Sequence, residues 1–300
     1  MDIKIAKDFD IKPYTTFKIG GKMKMVCFPK NLNEMLAILR EKPNIIVLGN
    51  LSNTLVSTSG YDEAVIVTSK MDEIKFEGTK VVAMCGVKGP KLAQEVCKAG
   101  LSGLEFMIGF PGSVGGEVYM NASANKQAIS DHIVSVTCYH RTKGLVKYTK
   151  DEMDFNYRSS RCQRDDLVVL FAEFDLKEKN PQEIQKQMDE NLAFRKSHQP
   201  SLALPNCGSI FKNPPTDSAG RLLESVGAKE INIGKVRVWR NHANFIVNTD
   251  NGTSLDVLTL MLELKERVRA AYNIDLEPEI KFLGNKNKKE EEIWLRLNKK

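Results

Sequence analysis

The sequence predicts a protein of mixed helices and strands in two domains, and three observations carry that expectation. Its 300 residues exceed one average domain. Strand-like and helix-like segments alternate from the start. Near residue 195 a polar helix gives way to Gln199-Pro200, which has the composition of a junction. A hydrophobic fraction of 42% and a charged fraction of 27% belong to an ordinary globular chain and exclude a disordered or collagen-like one.

Met23 to Phe28 reads as a strand, Pro29 and Asn31 open a helix to about Arg40, and Ile45-Ile46-Val47-Leu48 is a short buried strand. The strand runs into Gly49-Asn50-Leu51-Ser52-Asn53, a small polar loop. Val81 to Cys85 is strand-like, and Pro90 sits in the first turn of a helix that ends before Gly100. Gly109 to Gly116 packs four glycines and a proline into eight residues, too costly in backbone entropy for a regular element. Strands resume at Ile133 to His140 and Leu167 to Leu176, and Pro181 begins a helix to about Ser197. Beyond the junction, Ala219 to Val226 is a short helix closed by Gly227, and Phe245-Ile246-Val247 is a strand. Thr253 caps a long helix whose Val257, Met261, Leu264 and Val268 form a core stripe, and Ile280 to Leu283 is a final strand.

The formal net charge of +6 owes much to Lys286, Lys288, Lys289, Lys299 and Lys300, interrupted by Glu290, Glu291 and Glu292. That stretch reads as a solvated tail, a disordered or helical extension. The remaining excess suits an anionic small molecule drawn into a cleft. A nucleic-acid module would need a basic patch interleaved with aromatics, whereas the basic residues here are spread between acidic ones. Cys27, Cys85, Cys97, Cys138, Cys162 and Cys207 are scattered without metal-ligand spacing, which argues for reduced cytosolic thiols and against a metal site. The N-terminus lacks the apolar run of a signal peptide, and no stretch reaches the length of a membrane span.

Three constellations could carry chemistry. Glycines at 49 and at 109 to 116 would let main chain approach a diphosphate and present N–H donors, although neither run is a dinucleotide fingerprint or a P-loop. Two such loops suit a two-sided clamp; each alone reads as a tight turn. In Asn206-Cys207-Gly208-Ser209 the serine could be a nucleophile, a proton donor or a cap, and residue type alone favours a cap or turn. Arg158 follows Phe155-Asn156-Tyr157 and could clamp an anion, while Arg161 and Arg164 read as a solvated face. His242 reads as structural. Glu279, between Pro278 and Ile280, enters an apolar region where a carboxylate needs a partner or a function.

In order along the chain, these segments resemble the MurB family, UDP-N-acetylenolpyruvoylglucosamine reductases, over nearly the whole length. Tyr14-Thr15-Thr16-Phe17-Lys18-Ile19-Gly20-Gly21 is similar to the family's N-terminal signature. Gly49-Asn50-x-Ser52-Asn53 and Gly103-Leu104-Glu105-Phe106 through Asn121-Ala122 resemble its flavin loops, and Tyr157-Arg158-x-Ser160 its arginine motif. Gly208-Ser209-x-Phe211-Lys212-Asn213-Pro214, Ala219-Gly220-x-Leu222, His242-Ala243-Asn244-Phe245 and Glu277-Pro278-Glu279 complete the series.

The resemblance implies an α+β protein: an FAD-binding fold of the vanillyl-alcohol-oxidase (PCMH) type, then a smaller C-terminal α+β substrate domain. The expected boundaries are 1–195 for the flavin domain, in subdomains of about 1–70 and 71–195, 196–284 for the substrate domain, and 285–300 for the charged tail. It also implies the cofactors FAD and NADPH and reduction of an enolpyruvyl UDP-sugar to UDP-N-acetylmuramate for peptidoglycan synthesis, by a cytoplasmic monomer with no nucleic-acid or membrane partner. Arg158 and Glu279 match the pair that polarises the substrate carboxylate, and Ser209 matches the proton donor. Gly49, Asn50, Ser52, Asn53, Gly109, Pro111, Gly112, Ser113, Gly115, Gly116 and Asn121 are expected to bind the flavin; Tyr157, Lys212 and Asn213 are expected to bind substrate. The chain departs from the family at Leu51, where a second glycine is usual, and at Asn125-Lys126, where small residues are common. Its length matches the shorter second subclass. The competing reading is a flavin-binding relative with a lost or altered substrate.

Overall fold

The protein's structure, a computed structural model, describes residues 3–201 and 203–299. The first two residues of the expected flavin domain, Leu202, and Lys300 of the charged stretch lie outside the described residues. Two compact units are present. One comprises the chain up to Ile5, Val26–Asn50 and Val65–Arg195; the other comprises Ala6–Met25, Leu51–Ala64 and the chain from Lys196 onward.

The first unit is built on a five-stranded antiparallel sheet, in the order Gly144–Thr149, Ile133–His140, Leu167–Asp175, Lys80–Met84, Ile74–Glu77. Its central strand opens with Leu167, Val168, Val169 and Leu170, all buried, as a strand covered on both faces must be. Helix Leu32–Glu41 starts where expected because the Asn31 side chain accepts the Glu34 N–H at 3.0 Å. The strand that follows it, Ile46–Leu48, pairs in parallel with Val65 to Val67. Helix Gly89–Lys98 carries Pro90 in its first turn and buries Leu92, Ala93, Val96 and Cys97 at helical spacing.

Residues 109 to 116 correct the expectation of a wholly irregular run, because helix Val114–Met120 begins inside it. The glycines serve close packing rather than unusual backbone: none of the four adopts a left-handed φ. A Cβ on Gly115 would stand 2.9 Å from the Cβ of Cys85, so only glycine lets this helix lie against the neighbouring chain.

In the second unit, helix Ser254–Tyr272 is started by a reciprocal cap between Thr253 and Asp256, and its Val257, Met261, Leu264 and Val268 are buried as the stripe predicts. They join Leu222, Leu223, Val236, Val238, Ile246 and Phe211 in one core. Helix Ala219–Ser225 and an antiparallel sheet of Asn232–Ile233, Val236–Val238 and Ile246–Asn248 cover it, and Lys281–Leu283 pairs in parallel with Thr54–Val56. The charged stretch forms helix Lys288–Asn298, one of the two forms expected for it, but Glu290, Ile293 and Leu297 are buried rather than solvated. Ile293 and Leu297 are four residues apart and face the core together, while the charges occupy the other side. The Glu290 carboxylate accepts from Ser254 Oγ at 2.5 Å, and Lys265 Nζ donates to the Leu297 carbonyl at 2.8 Å, so both ends of the helix are tied to Ser254–Tyr272.

Candidate active site

In the first unit Gly49 and Asn50, the start of one glycine loop, meet the other loop. Asn50 Nδ2 donates to the Pro111 carbonyl, and a Cβ on Gly49 would stand 2.4 Å from Ser113 Oγ. Gly112 is pressed against the side chain of Glu117 and Gly109 against that of Arg195, where a Cβ would lie 2.9 and 2.6 Å away. Ser113 Oγ is enclosed and has no hydrogen-bond partner among the described residues. The Arg195 guanidinium is partly buried, which lowers its pKa, and no carboxylate among the described residues bonds it. Apposed glycine turns, an unpartnered hydroxyl and a desolvated cation suit an anionic group such as a diphosphate. Glu117 adds no anion to this region near neutrality, because complete burial pushes its carboxyl up to about 8.

Arg158 lies in the same unit on a tight turn closed by mutual backbone bonds of Asn156 and Ser159, at 3.0 and 3.2 Å. It has φ +52°, a left-handed conformation that costs a side-chain-bearing residue roughly 1 kcal/mol. The surroundings over-determine it. Gln163 Nε2 donates to the Arg158 carbonyl at 3.0 Å, Asn121 Nδ2 to the Asn156 carbonyl at 3.1 Å, and Ser160 Oγ to the Tyr119 carbonyl at 2.9 Å. The guanidinium donates to Ser123 Oγ at 2.9 Å and lies 5.3 Å from the Tyr157 ring. Asn121, expected at the flavin, thus anchors the arginine turn. Arg161 corrects the solvated-face expectation, because its guanidinium lies over the buried Tyr148 ring at 5.1 Å; Arg164 is exposed and pairs with Asp154 at 2.8 Å.

In the second unit Ser209 and Glu279 are brought together. Gly208 N–H donates to Asn206 Oδ1 at 3.0 Å, and Gly208 takes φ +80°, so the chain turns before Ser209 and no helix follows for it to cap. Ser209 pairs with Phe245 on one side. On the other, Glu279 N–H donates to the Ile210 carbonyl at 2.8 Å, Lys212 N–H to the Glu277 carbonyl at 2.9 Å, and Phe211 faces Pro278. Asn244 locks this ribbon: Oδ1 accepts the Phe211 N–H at 3.0 Å, and Nδ2 donates to the Phe211 carbonyl at 2.8 Å. Burial raises the pKa of the neighbouring Cys207 thiol, and the Glu279 charge adds to the rise. Lys212 Nζ pairs with Glu277 at 2.6 Å, and Asn213 Oδ1 accepts the Ala219 N–H at 3.0 Å. His242 is structural in its contacts: Nδ1 accepts the Asn244 N–H at 3.2 Å, and the ring packs against Gly220.

A reductase from Caldicellulosiruptor bescii, UDP-N-acetylenolpyruvoylglucosamine reductase, is 39% identical over 287 residues, covering 94% of this chain and 91% of that protein. The chain belongs to the MurB family. Another MurB relative, the reductase of the same name from Lactiplantibacillus plantarum, is 35% identical over 94% of each chain. The crystal structure of MurB from Thermus caldophilus superposes with a TM-score of 0.79 at 33% identity, covering 94% of this chain and 99% of that one. The model of the MurB C-terminal domain matches residues 199–283, and that of an FAD-binding domain matches residues 23–148. As a MurB protein the chain is an FAD-dependent oxidoreductase of the expected α+β class.

Sequence reasoning missed four residues that shape these sites. Ser123 was hidden because its partner Arg158 is 35 positions away. Asn244 stood inside a recognised motif without a role. Glu117 and Arg195 gave no local signal, since a buried charge looks the same in sequence as a solvated one.

Proposed function

We propose that the protein reduces UDP-N-acetylenolpyruvoylglucosamine to UDP-N-acetylmuramate with NADPH, as a step of peptidoglycan precursor synthesis. The observation that supports this most directly is the Glu279 N–H bond to the Ile210 carbonyl at 2.8 Å, which draws a hydroxyl and a carboxylate from distant parts of the chain onto one ribbon. Bound FAD supplies the hydride, to the terminal vinyl carbon of the substrate. Negative charge then gathers on the substrate carboxylate, which Arg158 and Glu279 stabilise, and the Ser209 hydroxyl delivers a proton to the adjacent carbon. Main-chain N–H groups of the glycine loops 49–53 and 109–116 hold the flavin diphosphate; Tyr157, Lys212 and Asn213 contact the substrate. Residues 1–195 carry the flavin and 196–284 the UDP-sugar.

The protein works as a cytoplasmic monomer. Six free, buried cysteines accord with a reducing compartment, and no helix of the described residues is long and apolar enough to cross a membrane. The test is NADPH oxidation by FAD-loaded protein. It should depend on UDP-N-acetylenolpyruvoylglucosamine and yield UDP-N-acetylmuramate; flavin-loaded protein that ignores this substrate would instead be a relative with an altered one.

A further inference from the structure

Asn53 stands in a loop that sequence resemblance assigns to the flavin, yet its side-chain amide donates to the carbonyl of Glu279 at 3.1 Å. Its own carbonyl accepts the Lys281 N–H at 2.9 Å. These two bonds carry the parallel pairing of Thr54 with Lys281, Leu55 with Phe282 and Val56 with Leu283 one step past the strands. On the opposite side the Glu279 N–H is taken by the Ile210 carbonyl at 2.8 Å. Both peptide groups flanking the Glu279 Cα are therefore held, one by main chain and one by the Asn53 amide. The preceding residue, Pro278, has a fixed φ and faces Phe211.

We infer that Asn53 is a positioning residue for Glu279, setting where the carboxylate is presented through the bond to its carbonyl. The inference rests on the reading that Glu279 steadies the charge that develops on the substrate carboxylate. Displacement of such a group by about 1 Å costs up to roughly 100-fold in rate. Loss of the amide donor should therefore fall on the step in which Glu279 acts and spare steps in which it does not.

The experiment compares Asn53→Asp, which keeps the shape and removes the donor, with Asn53→Ala and with Glu279→Gln. FAD affinity is measured by flavin fluorescence, flavin reduction by NADPH and flavin reoxidation by UDP-N-acetylenolpyruvoylglucosamine by rapid mixing, and integrity by thermal melting. In both Asn53 variants we expect FAD affinity and flavin reduction within about threefold of the parent, reoxidation slowed about 10- to 100-fold, and the loss borne by kcat rather than KM. Slow reoxidation in Glu279→Gln with normal reoxidation in the Asn53 variants overturns the inference alone. Weakened FAD binding with normal reoxidation of the flavin that remains bound makes Asn53 a flavin contact and overturns it as well. Normal reoxidation in Glu279→Gln removes the reading of Glu279 and the inference with it. Asn53→Ala introduces no new charge and supplies the kinetic answer should the aspartate variant fail to fold.

Discussion

The Arg158 turn of the first unit and the Ser209–Glu279 ribbon of the second achieve fixed side chains by opposite means. Arg158 sits on strained backbone, φ +52°, and is held by side chains reaching in from Ser123, Asn121 and Gln163. Ser209 and Glu279 lie on extended chain whose N–H and C=O groups are paired in strand fashion, with Asn244 completing the set. The first arrangement stores strain; the second distributes its support over many bonds. The ribbon should therefore separate chemistry from stability cleanly. Ser209→Ala removes no hydrogen bond of the ribbon's backbone and should melt like the parent, yet slow product formation about 10²- to 10⁴-fold with NADPH-driven flavin reduction intact. Reoxidation of the flavin by substrate at the parental rate would remove Ser209 as proton donor.

Asn244→Ala attacks the support instead. It leaves the buried Phe211 N–H and carbonyl without their amide partner, each at about 1–3 kcal/mol, so a loss of about 3 kcal/mol should appear in chemical denaturation. A loss below about 1 kcal/mol would mean that the ribbon re-pairs without the asparagine.

What the sequence made legible follows the same division between local and distant causes. The helix Ser254–Tyr272 could be read from Thr253 and a stripe at helical spacing, because cap and stripe lie within one element. The Ser209 site could not, because Ile210 and Glu279 meet across 69 positions and only family resemblance joined them. Charge counting misled at the C-terminus, where Ile293 and Leu297 repeat at helical spacing among lysines and glutamates. Glycine counting misled at 109 to 116, where the residues allow close contact with Cys85, Glu117 and Arg195 rather than left-handed backbone.

The first unit carries its vulnerability in Glu117. Both carboxyl oxygens are enclosed without a partner among the described residues, beside Gly89 and Gly112, and burial alone raises the group from 4.5 to about 8. The folded protein therefore holds this proton more tightly than the unfolded chain does. The stabilisation is complete below the unfolded value near 4.5, declines as pH rises, and is lost once pH passes about 8. A decline approaching about 5 kcal/mol across that window is expected, and Glu117→Gln, which keeps the shape without a titratable group, should flatten it. Denaturation curves at several pH values read this directly; an unchanged slope in the glutamine variant would assign the pH dependence elsewhere.

The smallest effect concerns the hairpin that presents Ser123 to Arg158. Ser123 and Ala124 pair with Ala128 and Gln127 across Asn125 and Lys126, whose φ values of +52° and +64° define a two-residue turn with both central residues left-handed. Asparagine tolerates the first position, and glycine is the residue suited to the second. Lysine there is exposed and gains nothing from the geometry, so its backbone carries a cost that the Arg158 turn shares for a purpose. Lys126→Gly should relieve about 1 kcal/mol, less the entropy glycine adds to the unfolded chain, and raise the melting temperature by about 1–3 °C with KM for the UDP-sugar unchanged. A lower melting temperature would show that the turn is set by the Asn125 amide bond to Asn191 Oδ1 at 2.8 Å rather than by local preference. In that event the strain around Arg158 would extend through the hairpin to helix Pro181–His198, and the arginine's support would be larger than its own turn.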